Sequence, residues 1–393
     1  MTTFVQIHTL QTFPACNLNR GDDGRPKTLV YGGVERIRYS SQALKYALRN
    51  SPVLRTTLGN VFGKRTKWLG RAVQEHLLKR NVPPDKAAEI GAHVTEVCGK
   101  VDEKDPSRLK TTTLYFIGPD EEKALYELAE SAAAGKEVDW NPQSILKEVT
   151  TALDIAMFGR FYTDDSSKPP RANKKAKGKK TMPAEAEAEA ETVDGEEADK
   201  SKTAAKSKRR HAIIEAAVHV AHSFTTHRSS PEDDYFSATD DLPDERGGAG
   251  HIDAQFFGSG VFYTYVTINR DRLVANLDGN VKLADLCIEG LIRTLPSISP
   301  GGKRASFASH GKSQFALVEV GTQQPRSLAA AFCEPVRSVA GRGIDRASAE
   351  RLLEQRKAFE TVYGAASDRH AVFQAFAGKV EGSLEQITQI VKG

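Results

Sequence analysis

Four kinds of side chain in this sequence can do chemistry: clustered cations, a run of histidines, paired aspartates, and aromatic rings set in polar loops. One cation-bearing run is Arg36-Ile37-Arg38-Tyr39-Ser40-Ser41-Gln42-Ala43-Leu44-Lys45-Tyr46-Ala47-Leu48-Arg49. Before Ser40 the pattern alternates, which puts Arg36 and Arg38 on one face of a strand. Ser40 or Ser41 is a natural N-cap for the helix that follows. Ala43, Leu44, Ala47 and Leu48 then form one stripe, and Gln42, Lys45 and Arg49 the opposite one. A helix N-terminus offers free N–H groups and partial positive charge. With two approaching arginines it makes a track for several phosphates; a surface helix with solvated charges has the same pattern. Two loops add cations. Asn17-Leu18-Asn19-Arg20-Gly21-Asp22-Asp23-Gly24-Arg25-Pro26-Lys27 carries Arg20, Arg25 and Lys27 on a glycine-bearing backbone, and Pro300-Gly301-Gly302-Lys303-Arg304 pairs two glycines with two cations.

His211, His219, His222 and His227 look most like an enzyme, and His219 and His222 are spaced to share a helix face. No HExxH and no cysteine partner accompanies them, so no metal centre is expected. Asp233-Asp234 and Asp240-Asp241 can hold a magnesium ion for nuclease chemistry, but such pairs more often form turns and caps. Tyr235 and Phe236 lie in a polar segment with no amphipathic period, and Phe161 follows Gly159-Arg160. Rings so placed can stack on or wedge between bases, or fold back into a core.

These residues need elements to hold them. Residues 3–10 alternate as a first strand. From Val53 to about Ala156 the pattern turns helical, with runs at Trp68–Arg80, Asp120–Ala134 and Ser144–Phe158. Residues 164–210 hold lysine, alanine and glutamate with almost no large apolar side chain, the composition of a disordered insert. A turn-rich stretch spans Arg228 to His251, followed by the clearest strand, Gly260–Asn269. A helix is expected over Leu283–Arg293, a strand over Phe315–Val320, and helices from Ala347 to about Tyr363 and from Ser383.

The chain's 393 residues suffice for two or three domains, and a net charge of +4 says little by itself. Cys16, Cys98, Cys287 and Cys333 form no CxxC and fit a reducing compartment. No apolar run approaches a membrane span and no signal peptide is evident, so a cytoplasmic location and no membrane contact are expected. P-loop, dinucleotide and GxSxG fingerprints are missing, and no cofactor is implied.

The ordered pieces Asn17–Asp22, Gly32-Gly33, Arg36–Lys45, Asp154-Ile155-Ala156 with Gly159-Arg160, Ala221-His222 with Thr225-Thr226-His227, Asp234-Tyr235-Phe236 with Asp240-Asp241-Leu242, Ser259–Tyr263, and Pro300-Gly301 with Lys303 resemble the type I-E CRISPR Cascade backbone subunit, the CasC family that binds the crRNA guide. The part beyond about Val320 matches poorly. The resemblance implies an α+β fold. An RRM-like (ferredoxin-like) palm would be built from residues 1–54 and 211–393, with helical fingers at 55–163, the disordered insert at 164–210, and a thumb loop at 225–250. It implies a non-catalytic protein that polymerises along the guide, kinks it and presents it to target DNA. Its partners would be crRNA, neighbouring copies and other Cascade subunits. Arg20, Lys27, Arg38, Ser40, Gln42, Lys45 and Arg49 would then hold phosphates and sugars, with Lys303 and Arg304 assisting, and Phe161, Tyr235 and Phe236 would wedge at the kink. The chain departs from the family pattern at Phe161, often methionine there, at Tyr46, often basic, and in its long insert. The alternative is a metal-dependent endoribonuclease using the thumb-loop aspartates.

Overall fold

The computed structural model describes residues 2–59, 61–140, 145, 149–160, 213–239, 249–338 and 342–391. Phe161, the 164–210 insert, His211, Asp240 and Asp241 lie outside the described residues. The chain divides into two compact units, Met1–Gly63 with Val149–Gly159 and Ile214–Gly393, and Lys64–Glu148 with Arg160–Ile213.

The first unit is a large antiparallel sheet with helices. Its strands are β1 (Phe4–Cys16), β2 (Thr28–Tyr31), β3 (Val34–Tyr39), β6 (Val218–Val220), β7 (Ser223–Thr225), β8 (Glu232–Thr239), β9 (Ala249–Asn269), β10 (Ser313–Gly321), β11 (Arg369–Phe376) and β12 (Lys379–Glu381). They run in the order β12-β11-β10-β1-β9-β7-β3-β2, and β6 and β8 also pair with β9. Both faces are covered. Val5, Ile7 and Phe13 of β1 point to one core, where they meet α1 (Ser41–Arg49), α2 (Pro52–Leu58), α6 (Leu153–Phe158), α7 (Arg270–Asn276) and α8 (Val281–Thr294). Leu10, Tyr263, Phe315 and Leu317 point the other way, to Ala349 and Leu352 of α10 (Ile344–Tyr363) and to Phe332. Between the cores, β1 also buries Gln6 and His8, which is affordable only with partners. Glu319 of β10 supplies one: fully buried, it lies 3.4 Å from His8 Nε2 and accepts from Arg326 at 2.9 Å and Arg356 at 2.8 Å.

Local sequence explains the helix ends. Ser40 Oγ accepts from Ala43 N to start α1, Ser51 caps α2 with Pro52 in its first turn, and Gly59 closes α2 at φ +73°. Leu54 and Leu58 of α2, and Leu153, Ala156 and Met157 of α6, belong to the core against the sheet. The helical insertion is therefore shorter than the sequence pattern implied at both ends. Within the expected Ser144–Phe158 helix, residues 149–152 are not helical and α6 begins at Leu153.

The second unit packs α3 (Leu69–Leu78), α4 (Pro84–Cys98) and α5 (Pro119–Ala133) with a two-stranded sheet of β4 (Lys64–Thr66) and β5 (Tyr115–Ile117). Gly70 and Gly91 let α3 and α4 touch backbone to backbone; a Cβ on Gly70 would stand 2.3 Å from Gly91 O. Glu121 accepts from Gly118 N at the start of α5 and takes a buried bidentate pair from Arg160, at 2.6 and 2.9 Å.

Two expectations fail outright. The stretch expected to be turns, Arg228–His251, contains β8 and the first part of β9, which form a long hairpin. The histidines fall on strands and their connection: His219 is in β6 and His222 sits between β6 and β7. Hence they share no helix face. The strands β11 and β12 had no counterpart in the sequence reading.

Candidate nucleic-acid interface

Four separated segments of the first unit meet at the Cys16 end of β1. The 17–27 loop is held by its own polar residues. Asn17 Nδ2 donates to Gly24 O at 3.0 Å and to Phe256 O of β9 at 2.8 Å, and Gly21 N donates to Arg25 O at 2.8 Å. Asn19 joins the loop to α1, since its Oδ1 accepts from Ser40 N at 2.9 Å. The 300–304 loop presses on the same place. A Cβ on Gly302 would lie 2.4 Å from Asn17 O and 2.5 Å from Leu18 O, so only glycine fits. Lys303 follows at φ +46°, before the short helix α9 (Arg304–Phe307).

This arrangement brings some sequence-predicted cations together and commits others elsewhere. Arg20 is exposed, and Lys27 and Lys303 are half-buried. Arg25, exposed in the same loop, lies over the Phe256 ring at 4.5 Å. Gln42 is exposed on α1 beside Tyr46, and Lys45 Nζ lies 5.8 Å from the Phe158 ring. Arg38 donates to Thr28 O at 3.0 Å and to His222 Nδ1 at 3.0 Å, so it is braced at the sheet edge while still half-buried. Ser40 is 8% exposed and caps the helix, leaving it a supporting part.

Three arginines of this region are engaged within the fold. Arg49 Nε donates to the fully buried Asp154 carboxylate at 2.6 Å and its other nitrogen to Gly63 O at 3.3 Å. It ties α1 to α6 instead of lining an outer track with Gln42 and Lys45. Arg36 is fully buried and donates to the carbonyls of Tyr31, Thr225 and Phe332, at 3.3, 2.9 and 2.8 Å. Strand alternation placed it correctly beside Arg38, but β7 and the Phe332 segment cover it. Arg304 donates to Ser299 O at 2.8 Å, folding back on its own loop.

The β8–β9 hairpin rises beside this cluster, with every residue of β8 exposed. Asp233 pairs with Phe256, Tyr235 with Ala254 and Ser237 with Ile252, so these side chains share one face. Asp234 with Gln255 and Phe236 with Asp253 share the other. Tyr235, 68% exposed, therefore stands in line with Ile252, Phe256 and Arg25, whereas Phe236, 37% exposed, faces away toward His251. The two rings expected to wedge together lie on opposite sides. The same alternation separates Asp233 from Asp234. Among the described residues no group of three or more His, Cys, Asp or Glu side chains can hold a metal. The histidines are engaged one by one: His227 Nε2 accepts from Val261 N at 3.3 Å, and burial lowers its pKa.

The sequence reading missed Asn17 and Asn19 as braces, Phe256 as the ring under Arg25, and His222 as the partner of Arg38. The Gln255-Phe256-Phe257-Gly258 run was the available signal for Phe256: two adjacent aromatics ahead of the strongest strand.

The model of one protein family, described as "CT1975-like protein", matches residues 5–176 and 205–390. The match runs well past Val320, where the sequence resemblance had faded. No curated protein matches the chain. Among solved structures, one chain of a "CRISPR RNA-guided surveillance complex, pre-nicking" is 25% identical with a TM-score of 0.77, over 99% of each chain. A chain of another "CRISPR RNA-guided surveillance complex" is 21% identical with a TM-score of 0.56, covering 99% of this chain and 97% of that one, and shares the fold. No helix among the described residues is long and apolar enough to cross a membrane.

Proposed function

The chain belongs to the CT1975-like protein family, and on that premise we propose that it is a non-catalytic crRNA-binding backbone subunit of a type I-E CRISPR Cascade complex. In this role copies polymerise along the guide, kink it, and leave the intervening bases to pair with target DNA. The observation that carries the reading is the convergence of the 17–27 loop, the α1 start, the 300–304 loop and the foot of the β8–β9 hairpin. These bring Arg20, Arg25, Lys27 and Lys303 beside an exposed aromatic face. The antiparallel order β10-β1-β9-β7, with α1, α7 and α8 among the helices on one of its faces, supports the RRM-like reading of the palm.

A backbone subunit must hold guides of any sequence. Phosphate contacts position a strand without reading it. Cations on glycine-bearing loops suit that task, because the backbone can approach the strand closely. Tyr235 and Ile252 on the Arg25 side of the hairpin are the residues placed to wedge a base step.

The test is guide binding across salt concentrations. Single-strand affinity falls with salt at a log–log slope of about −0.7 per phosphate neutralised. Arg20→Ala with Lys303→Ala should weaken binding of unrelated guide sequences equally and flatten the slope by about 1.4, twice that single-contact value. Unchanged affinity and slope would remove these loops from the RNA path. Incubation with magnesium and complementary RNA tests the non-catalytic part, since regular-interval cleavage lost on Asp234→Ala would make the protein a nuclease.

A further inference from the structure

The sheet face under α10 is not covered along its whole length. Leu10, Tyr263 and Leu317 are packed beneath α10 and the Phe332 segment. Toward the start of β1 and the end of β9 the same face carries Phe4, Tyr265 and Thr267, and His219 joins it by pairing with Thr267. Arg272 and the Gln324–Ser327 segment wall this strip into a cleft of about 530 Å³, a size that takes a nucleotide.

The floor is preorganised. The Tyr265 hydroxyl donates to Gln6 Oε1 at 2.9 Å, and its ring stacks on His8 at 4.8 Å with 25° between planes. His8 is itself held, with Nδ1 2.9 Å from the Tyr263 hydroxyl. The ring cannot turn without breaking these contacts. Thr267 lines the cleft beside Tyr265, its hydroxyl turned in toward the Tyr265 side chain. The mouth is polar: Arg272 meets Glu215 at 2.7 Å, both side chains about half exposed, with His219 and the Gln324 amide nearby.

We propose that this cleft binds one nucleotide, its base stacked on Tyr265, its base edge paired with the Gln324 amide, and its phosphate on Arg272 and His219. A purely apolar ligand would leave Arg272 and the Gln324 amide unused, and a small bare anion would face Glu215 without using the ring. A planar base with hydrogen-bonding edges uses both, as bases do on aromatic residues of sheet faces elsewhere. Asparagine and glutamine amides match such edges with paired bonds. The site is separate from the loop cluster. β1 begins at the cleft with Phe4 and reaches the cluster after 13 residues, about 40 Å of strand. The α1 helix packs on the opposite face. The proposal therefore stands or falls independently of the guide-binding reading.

The experiment titrates the full chain, freed of RNA, with AMP and with UMP by ligand-observed NMR. Binding at millimolar or lower concentration is expected. Tyr265→Leu should weaken it by about tenfold or more, the loss of one stacked base, while Tyr265→Phe retains it. Gln324→Ala, at an exposed position that leaves the fold untouched, should weaken it several-fold, and Arg20→Ala should not change it. Competition by a short single-stranded RNA would identify a base of a bound strand as the occupant, and indifference to RNA would identify a free nucleotide. No binding of either mononucleotide at millimolar concentration overturns the proposal, as does binding undiminished by Gln324→Ala and Tyr265→Leu. Should Tyr265→Leu fail to fold, Gln324→Ala decides alone.

Discussion

Arg36 and Arg49 sit in a basic strand-to-helix stretch, Arg20 and Arg25 in a loop where two glycines and two aspartates separate them, yet the loop pair is the one left for a partner. Arg36 has its guanidinium on three backbone carbonyls, and Arg49 on a carboxylate with no exposure. Arg20 is exposed, and Arg25 reaches only the face of a ring. Cation density along a chain thus says little about where a phosphate will bind. What decides is whether the fold brings an oxygen to each guanidinium first.

The comparison breaks most easily at Arg49. Arg49→Ala leaves the Asp154 carboxylate buried without its cation, and removing one member of a buried pair costs about 3–5 kcal/mol. Chemical denaturation should report that loss, while the salt slope of guide binding stays as it was. A flattened slope with unchanged stability would make Arg49 an RNA contact after all. Arg36→Met comes next. It strands the buried carbonyls of Thr225 and Phe332, at about 1–3 kcal/mol for each group left unsatisfied, with no direct effect on RNA.

Acid separates the two sets of arginines as well. Arg326 and Arg356 belong to the internal set through Glu319. Burial alone would raise the Glu319 pKa, but hydrogen bonds from His8, Arg326 and Arg356 outweigh it and hold the carboxyl well below the usual range. For His8, burial is the largest influence and lowers its pKa. Both folded values are depressed, so both groups contribute stability above their unfolded values and lose it as pH falls toward the folded ones. The loss should begin below about 6.5 for His8, joined by the partly buried His227, and below about 4.3 for Glu319. Urea midpoints at neutral pH and at pH near 5 should differ, and His8→Gln should shrink the difference. An equal drop in wild type and variant would place the acid sensitivity elsewhere.

Much of the fold could be read in the chain because burial has a period. The β1 and β9 alternation, the Leu44–Leu48 stripe and the Ser40 cap all rest on contacts within a few residues. The β8–β9 hairpin could not be read so, because β8 is exposed on both faces and carries no apolar alternation. The roles of Arg36 and Arg49 were hidden for a different reason. Their partners lie at Thr225, Phe332 and Asp154, more than 100 residues away, and no local pattern announces them. The 17–27 loop was legible as a turn from its Asn, Gly, Asp and Pro content, but its attachment to Phe256 and Gly302 was not.

Among the loop cations the effects on stability should be small and those on binding specific. Arg20→Ala and Lys27→Ala should each change stability by about 0.5 kcal/mol or less, as surface substitutions do, while each lowers the salt slope of guide binding by about 0.7. An Arg20→Ala variant that loses stability comparable to Arg49→Ala would erase the distinction between the two sets.

The smallest effect tests the distinction inside a single residue. Arg25 is exposed yet lies 4.5 Å over the Phe256 ring, so it can be read as internal bracing or as a cation held ready for the strand. Cation–ring contacts at exposed sites contribute about 0.5–1 kcal/mol. A double-mutant cycle with Arg25→Ala and Phe256→Leu separates the two. If the ring only positions the guanidinium, the coupling should be larger in guide affinity than in folding stability. Arg25→Ala should also flatten the salt slope, whereas Phe256→Leu should weaken binding without changing that slope, because the charge remains. Coupling confined to stability would move Arg25 into the internal set, leaving Arg20, Lys27 and Lys303 as the cations the fold leaves to the strand.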